Sequence, residues 1–236
     1  MSGRAEPAPA PIETRLGPAR IWCTGRALGN VGDHVGDDEA RVRRNRAALA
    51  ELVGVDARRL VWIRQVHGAD VHVASVPESE PAVADAVLTA TRGLAVAVVT
   101  ADCAPIVIAC DDAVGVVHAG HRGLSAGVVE AAIARLQEIG RGEVRALLGP
   151  CIRAGCYEFG PDDLAAFVAR FGPEAEARTR SGMPALDLPA AVAVVLRRAG
   201  VETLQDTQLC TADSDAWFSY RRDGATGRQA TVALLP

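Results

Sequence analysis

The chain has 236 residues and a formal net charge of −4; 49% of its residues are hydrophobic and 23% charged. That length supports one sizeable core or at most two small ones, and the composition is that of an ordinary globular enzyme. The slightly acidic balance, with no isolated basic block, argues against nucleic acid as a partner, and no apolar run approaches a membrane span. Arginine supplies all 25 positive charges, and the Ala, Val and Gly excess beside it reads as codon bias without functional weight.

The first segment, MSGRAEPAPAPIETRLGPAR, has no apolar stretch of the signal-peptide kind. Rich in Pro and Ala, it reads as a flexible arm over residues 1–20 preceding a single catalytic domain over 21–236, with the cytoplasm as the default location. Cys23, Cys103, Cys110, Cys151, Cys156 and Cys210 are scattered along the chain, so disulfides are not expected. No Cys-x-x-Cys pair exists to form a zinc ribbon, and most of these thiols should be small buried apolar groups.

In chain order, Ile21 to Thr24 reads as a first strand, followed by a Gly/Asp/Asn-rich loop with His34 inside GDHVGDD. Acidic residues open a helix over Asp38 to Val53 that Gly54 ends, with Val42, Leu49, Leu52 and Val53 as its apolar stripe. Its cluster of arginines reads as a solvated face. Leu60 to Val66 alternates as a strand ending at His67-Gly68; Val71 to Ala74 and Ala84 to Thr89 are further short extended pieces.

Three apolar runs follow: one from Val96 ending at Thr100-Ala101-Asp102-Cys103, one over Ile106 to Cys110, and one over Val114 to Val117 that delivers His118 into a Gly-bounded turn. A helix is expected over Ser125 to Ile139, a strand over Val144 to Leu148, and helices over Pro161 to Phe171 and Asp187 to Ala199. Trp217 to Arg221 and Gln229 to Leu235 read as a closing strand pair around the turn Arg222-Asp223-Gly224. The pattern is α/β (α+β): a layered sandwich of mixed β-sheets with flanking helices.

Strand ends and the loops just past them are where a rigid scaffold holds reactive groups. Cys103 and His118 stand at neighbouring strand ends and could form a nucleophile–base pair or two metal ligands. Adding His67, at a strand end where Gly68 permits close approach, completes a three-ligand set with an open fourth position suited to catalytic zinc. Arg122 and a helix N-terminus near Ser125 would add positive potential beside it, suited to phosphate. His121 follows His118 by three residues and shares its side only if the turn is already helical; His72 reads as the exposed face of a strand. A metal-free Cys103/His118 hydrolase remains open at this point.

TADCAPI, VVHAGHRGL, QVHG, GDHVGDD, LLGPCI…CYEFG and CTADSDAWFSYRRDGATGRQA, taken together and in this order, resemble the family first labelled multicopper polyphenol oxidase or laccase-like. Members are understood as zinc-containing purine nucleoside phosphorylases with adenosine deaminase side activity, and some are described as peptidoglycan editing factors. The likeness runs from about Trp22 to the C-terminus. It implies a metal set of His67, Cys103 and His118. It also implies phosphorolysis of adenosine, inosine, guanosine or methylthioadenosine to free base and ribose 1-phosphate. Arg122 and, more weakly, Arg221 would then serve the phosphate and substrate, while Gln65, Asp102 and His121 would orient the ligands. The implied partners are small purine nucleosides and phosphate.

Copper is not expected, because five histidines cannot furnish a laccase's trinuclear cluster and blue site. The chain departs from the family pattern in two places. His121 stands where members usually carry Trp, and Thr24 to Asn30 is shorter than the family's Gly-rich segment; both bear on substrate preference. The H-x-E and P-C-x-x-C elements of zinc nucleobase deaminases are missing, leaving Glu158 as the only nominee for a proton shuttle and deamination as the lesser activity. The competing readings are a Cys/His hydrolase editing peptidoglycan precursors and a non-catalytic nucleoside-binding protein.

Overall fold

The computed structural model describes residues 11–236. A hairpin of β1 (Ile12–Leu16) and β2 (Ala19–Cys23) leads to α1 (Glu39–Val53), then to β3 (Leu60–Arg64), β4 (Val71–Val73), β5 (Ala82–Val83) and β6 (Ala86–Thr89). Three six-residue strands come next, β7 (Ala95–Thr100), β8 (Ala104–Ala109) and β9 (Val114–Ala119), followed by α2 (His121–Ala126) and α3 (Val128–Ile139). The chain continues through β10 (Arg145–Leu148), α4 (Pro161–Phe171), β11 (Glu176–Arg178), β12 (Pro184–Leu186), α5 (Leu188–Arg198), β13 (Leu204–Asp206), α6 (Tyr220–Asp223) and β14 (Gln229–Leu234).

Two six-stranded mixed sheets carry the fold, ordered β1-β2-β14-β7-β3-β5 and β13-β10-β8-β9-β6-β4, with β11 and β12 as a separate pair. They pack face to face. Val61, Ile63, Val96 and Val98 of the first sheet share one core with Val87, Val107, Val114, Val116 and Leu147 of the second. On the outer side of the first sheet, Trp22, Ala95, Ala97, Val99 and Val232 meet Leu49, Ala50 and Val53 of α1. On the outer side of the second, Ile106, Ile108, Val117 and Leu148 meet α3, α4 and α5 through Val129, Ile133, Leu136, Phe167 and Val192. The layers therefore run helix, sheet, sheet, helices. This explains the continuous apolar runs: β7, β8 and β9 are buried at every residue because both their faces are covered.

Several elements fall where local chemistry places them. Asp38 caps α1 by accepting from Arg41 N–H at 2.7 Å, and Gly54 ends it in the left-handed conformation (φ 82°). Asp187 caps α5 in the same way, and α4 spans Pro161–Phe171 as its Pro start predicts. The arginines of α1 are only partly a solvated face. The Arg46 guanidinium lies 4.4 Å from the Trp62 ring centroid and donates to Val31 C=O at 2.8 Å.

Three expectations are corrected. Residues 12–20, assigned to the flexible arm, form the first hairpin, with Leu16 and Ala19 fully buried in the inter-sheet core; residues 1–10 of that arm lie outside the described residues. The helix expected over Ser125 to Ile139 is two helices, because Gly127 (φ 91°) closes α2 and starts α3; Ser125 therefore lies inside a helix rather than at its N-terminus. Trp217 to Arg221 is not a strand. The Arg222 guanidinium donates to the carbonyls of Thr211, Ser214 and Trp217, holding that stretch as an irregular loop, and Ser219 caps the short α6.

Among the described glycines the most crowded is Gly115 in β9, where a Cβ would stand 1.9 Å from Leu88 Cδ2 and 3.1 Å from Val87 O. Leu88 is fully buried and has no room to withdraw. Gly115→Ala should therefore destabilise the protein by about 1–3 kcal/mol, the usual cost of overpacking a core. Denaturant unfolding checks this, and an unchanged midpoint would show that Leu88 repacks freely.

Candidate metal centre

The chain passes from the first sheet to the second at three corners: between β3 and β4 (residues 65–70), between β5 and β6 (residues 84–85), and between β7 and β8 (residues 101–103). All three corners meet at the same end of the sandwich, beside the last turn of β9. The first carries His67, the second Asp85, the third Cys103, and β9 carries His118 one residue before its end. Side chains remote in sequence thereby share one small volume.

Asp85 organises that volume. Its side chain is fully buried, and its carboxylate accepts from the backbone N–H of Val66 (3.2 Å), His67 (2.9 Å) and Gly68 (2.6 Å). The same carboxylate accepts from His118 Nδ1 at 2.8 Å, and Asp85 C=O accepts from His118 N–H at 2.7 Å. Burial alone would raise its pKa, but the bond and charge of His118 and the backbone bonds from Gly68 and Val66 outweigh this and hold it below the ordinary carboxylate value. Asp85 thus fixes both the His67 corner and the His118 ring, leaving His118 Nε2 free to face the shared space.

The donor atoms of His67, Cys103 and His118 lie within 4.8 Å of one another. Cys103 Sγ is 3.8 Å from His67 Nε2, and the two imidazole rings meet edge to face with centroids 4.7 Å apart. His67 is exposed, Cys103 half-buried and His118 buried, so the group is open on one side only. Two backbone features make this convergence possible. His67 (φ 60°) and Asp102 (φ 96°) both adopt the left-handed region, at a cost of about 1–3 kcal/mol each. A Cβ on Gly120 would stand 2.8 Å from Cys103 Sγ and 3.2 Å from His67 Cδ2, so only Gly leaves the space open.

Two imidazoles and a thiol with a free approach are the donor set of a metal site that keeps an open position. The electrostatics agree. Burial pushes the Cys103 thiol up, but the charge of His118 and hydrogen bonds from His118 and His67 overcome it and bring it down to about 6. For His118, burial opposes the charged form, yet the Cys103 thiolate and Asp85 lift it to about 9. A thiolate is therefore present at neutral pH, as a metal ligand or a nucleophile requires.

The donor set floors a cleft of about 490 Å³, within the range of small-molecule sites at about 300–1,000 Å³. Arg122 and Arg221 line it, as do His121, Tyr157 and Arg228. Arg221 spans its wall. Its N–H donates to Asp102 Oδ2 at 2.7 Å, its guanidinium donates to Glu158 C=O at 2.6 Å, and the same group lies 4.9 Å from the Tyr157 ring centroid. His121 is the first residue of α2, stands edge-on to Phe159 at 5.3 Å, and has Nδ1 3.3 Å from the Tyr157 hydroxyl. Burial and the charge of Arg122 hold its pKa below the ordinary value.

The remaining expected residues play other parts. The Gln65 amide exchanges two 2.8 Å bonds with the backbone of Val99, clasping the ends of β3 and β7, rather than bonding to either imidazole. The Asp102 carboxylate accepts from Thr211 Oγ1 at 2.6 Å, which ties the Cys103 corner to the loop after β13. His72 pairs with Glu78 at 2.7 Å, away from the cleft. Glu158 is exposed and is not among the residues lining the cleft; its backbone carbonyl accepts from Arg221. Sequence reasoning passed over Asp85, Tyr157 and Arg228. Only the acidic residue interrupting the apolar piece Ala84 to Thr89 offered a signal for the first.

Residues 24–236 match the family described as multi-copper polyphenol oxidoreductase laccase. A protein of Streptomyces coelicolor named purine nucleoside phosphorylase is 47% identical over 213 residues, covering 87% of each chain. A Corynebacterium glutamicum protein of the same name is 37% identical over 241 residues, covering 95% of this chain and 98% of its own. Among solved structures, Neisseria meningitidis protein NMB0706 superposes with a TM-score of 0.86 at 33% identity, over 96% of this chain and 99% of that one. YlmD from Geobacillus stearothermophilus gives 0.80 at 29% identity, over 99% and 97%. By sequence and by fold, the chain belongs to the laccase-like polyphenol oxidoreductase family, whose curated relatives include proteins named purine nucleoside phosphorylases.

Proposed function

We propose that the protein is a zinc-dependent purine nucleoside phosphorylase, with His67, Cys103 and His118 holding the ion. The observation that carries this reading is a His–Cys–His donor set at the floor of an arginine-lined cleft, in a chain whose relatives bear that name. Zinc bound there would supply Lewis-acid polarisation of an oxygen ligand. It suits two imidazoles and a thiolate with an open position, whereas five histidines are too few for the copper centres of a laccase.

The chain's own groups account for the rest of the chemistry. Arg122 and Arg228, both lining the cleft, offer positive charge to a phosphate dianion. Arg221 over Tyr157 gives a flat, electron-rich wall with a cationic backing, a surface on which a purine can stack. In phosphorolysis a phosphate oxygen bonds to the sugar's anomeric carbon as the bond to the base nitrogen breaks. The base leaves with that electron pair and takes up the proton of hydrogen phosphate. Holding phosphate and nucleoside in one cleft converts a termolecular encounter into a local one. Adenosine, inosine, guanosine and methylthioadenosine are the proposed substrates. Adenosine deamination is a lesser activity, consistent with no glutamate lining the cleft among the described residues. The protein is proposed to act in the cytoplasm as one catalytic domain.

A second reading has a specific observation behind it. Cys103, His118 and Asp85 also form a thiolate–imidazole–carboxylate series, as in a cysteine hydrolase acting on peptidoglycan precursors. The two readings diverge on metal.

The purified protein should contain about one zinc at His67–Cys103–His118, and Cys103→Ala should lose that zinc together with phosphate-dependent release of base from inosine and adenosine. Base release in Cys103→Ala at the wild-type rate would sink the phosphorylase reading. Asp85→Asn, which keeps the shape but weakens the His118 and His67 anchors, should lower zinc affinity by about 10–100-fold in a chelator competition. In metal-stripped protein, alkylation of Cys103 should rise with pH to half its maximum near about 6, because the thiolate exists above that value. Added zinc should suppress the reaction; alkylation unaffected by zinc would favour the hydrolase.

A further inference from the structure

A second group of donor side chains converges outside the cleft floor. Cys210 and Asp213 occupy the first and fourth positions of the turn Cys210-Thr211-Ala212-Asp213, closed by Asp213 N–H donating to Cys210 C=O at 3.3 Å. Cys156 reaches the same point from the single 3-10 turn Ala154–Cys156. The two Sγ atoms and a carboxylate oxygen of Asp213 lie within 4.8 Å of one another. A Cys-x-x-Asp turn offers the same bite as the Cys-x-x-Cys turns of thiolate zinc sites, with a carboxylate in place of the second sulfur. We propose that Cys156, Cys210 and Asp213 form a second metal site, taking a thiophilic divalent ion of the zinc type.

Three further observations support the assignment. The Arg153 backbone N–H donates to Cys210 Sγ at 3.4 Å, a bond that orients the sulfur and favours its anionic, metal-binding form. The Arg180 guanidinium holds both oxygens of Asp213 at 2.5 Å and lies 3.5 Å from Cys156 Sγ. Two thiolates and a carboxylate leave one excess negative charge around a divalent ion, and Arg180 neutralises it. Cys210 is buried, Cys156 half-buried and Asp213 exposed, so an ion has an entry path from the solvent side.

Cys156 S–H donates to Asp213 Oδ1 at 2.8 Å, along the line an ion would take. Binding forms two metal–sulfur bonds and releases two thiol protons to solvent, with no change of oxidation state. Asp213 keeps one oxygen on Arg180 and turns the other to the ion; a water completes four-coordination. The site has a structural consequence. Cys156 precedes Tyr157, the cleft wall, and Thr211, whose hydroxyl holds Asp102, follows Cys210. An ion at this point clamps the wall of the cleft to the corner that carries Cys103.

The test is a cadmium titration of the metal-stripped, fully reduced full-length protein, read by the thiolate-to-cadmium charge-transfer absorption. Wild type should saturate at about two equivalents, Cys156→Ser at about one, and Cys103→Ala at about one with roughly twice the absorption of Cys156→Ser, since two thiolates remain in its site. Asp213→Asn, which leaves both thiols in place, should weaken only the second equivalent. Cys156→Ser should retain its first-site zinc. Saturation of wild type at one equivalent, or two equivalents surviving in Cys156→Ser, would overturn the proposal. Because the readout is metal stoichiometry, it is independent of whether the cleft performs phosphorolysis.

Discussion

The site depends on one buried carboxylate. Asp85 sits where the chain crosses between sheets and accepts from three consecutive backbone amides of one corner and from the His118 imidazole near the end of β9. Leaving such a charge unpaired in a core costs about 3–5 kcal/mol, so the fold cannot place Asp85 without also placing His67 and His118. The left-handed φ of His67 is held by the same bonds. Positional accuracy at the donor set is thus inherited from a core requirement, not from loop rigidity.

The sandwich supplies the rest of the arrangement. Strands buried on both faces have no freedom to slide, since a one-residue slip would exchange the residues facing α1 for those facing the other sheet. Corners between such strands are equally fixed, and each is braced from outside. Gln65 clasps β3 to β7, while Asp102 binds the loop after β13 and the start of α6. The Cys156–Cys210–Asp213 group lies in this outer brace, one residue from Tyr157 on one side and from Thr211 on the other. An ion there would stiffen the cleft without entering it.

Much of this was legible in the sequence, for identifiable reasons. His67, Cys103 and His118 each stand where an apolar run stops beside Gly or Pro, and a strand end is a local pattern. Pro161, Asp38, Asp187 and Gly54 mark helix ends through chemistry confined to a few residues. What was illegible depends on contacts across the chain. Asp85 looked like one polar residue in a short extended piece, because its importance arises only when three sheet crossings meet. The Trp217 to Arg221 stretch has strand composition, but Arg222 takes up the carbonyls a ladder would need. Residues 12–20 follow a Pro-rich start and look like an arm, yet β2 pairs with β14 from the other end of the chain. His121 required knowing that a helix already begins at that residue, ahead of the one expected from Ser125.

The central claim is that the His67–Cys103–His118 centre serves transfer of a sugar to phosphate. Phosphorus NMR of the zinc-loaded protein with inosine and inorganic phosphate tests it most directly. A ribose 1-phosphate resonance growing in step with hypoxanthine, and absent after chelation, is the predicted result. Hypoxanthine released without any sugar phosphate, or no reaction at all by the zinc-loaded protein, would contradict the account.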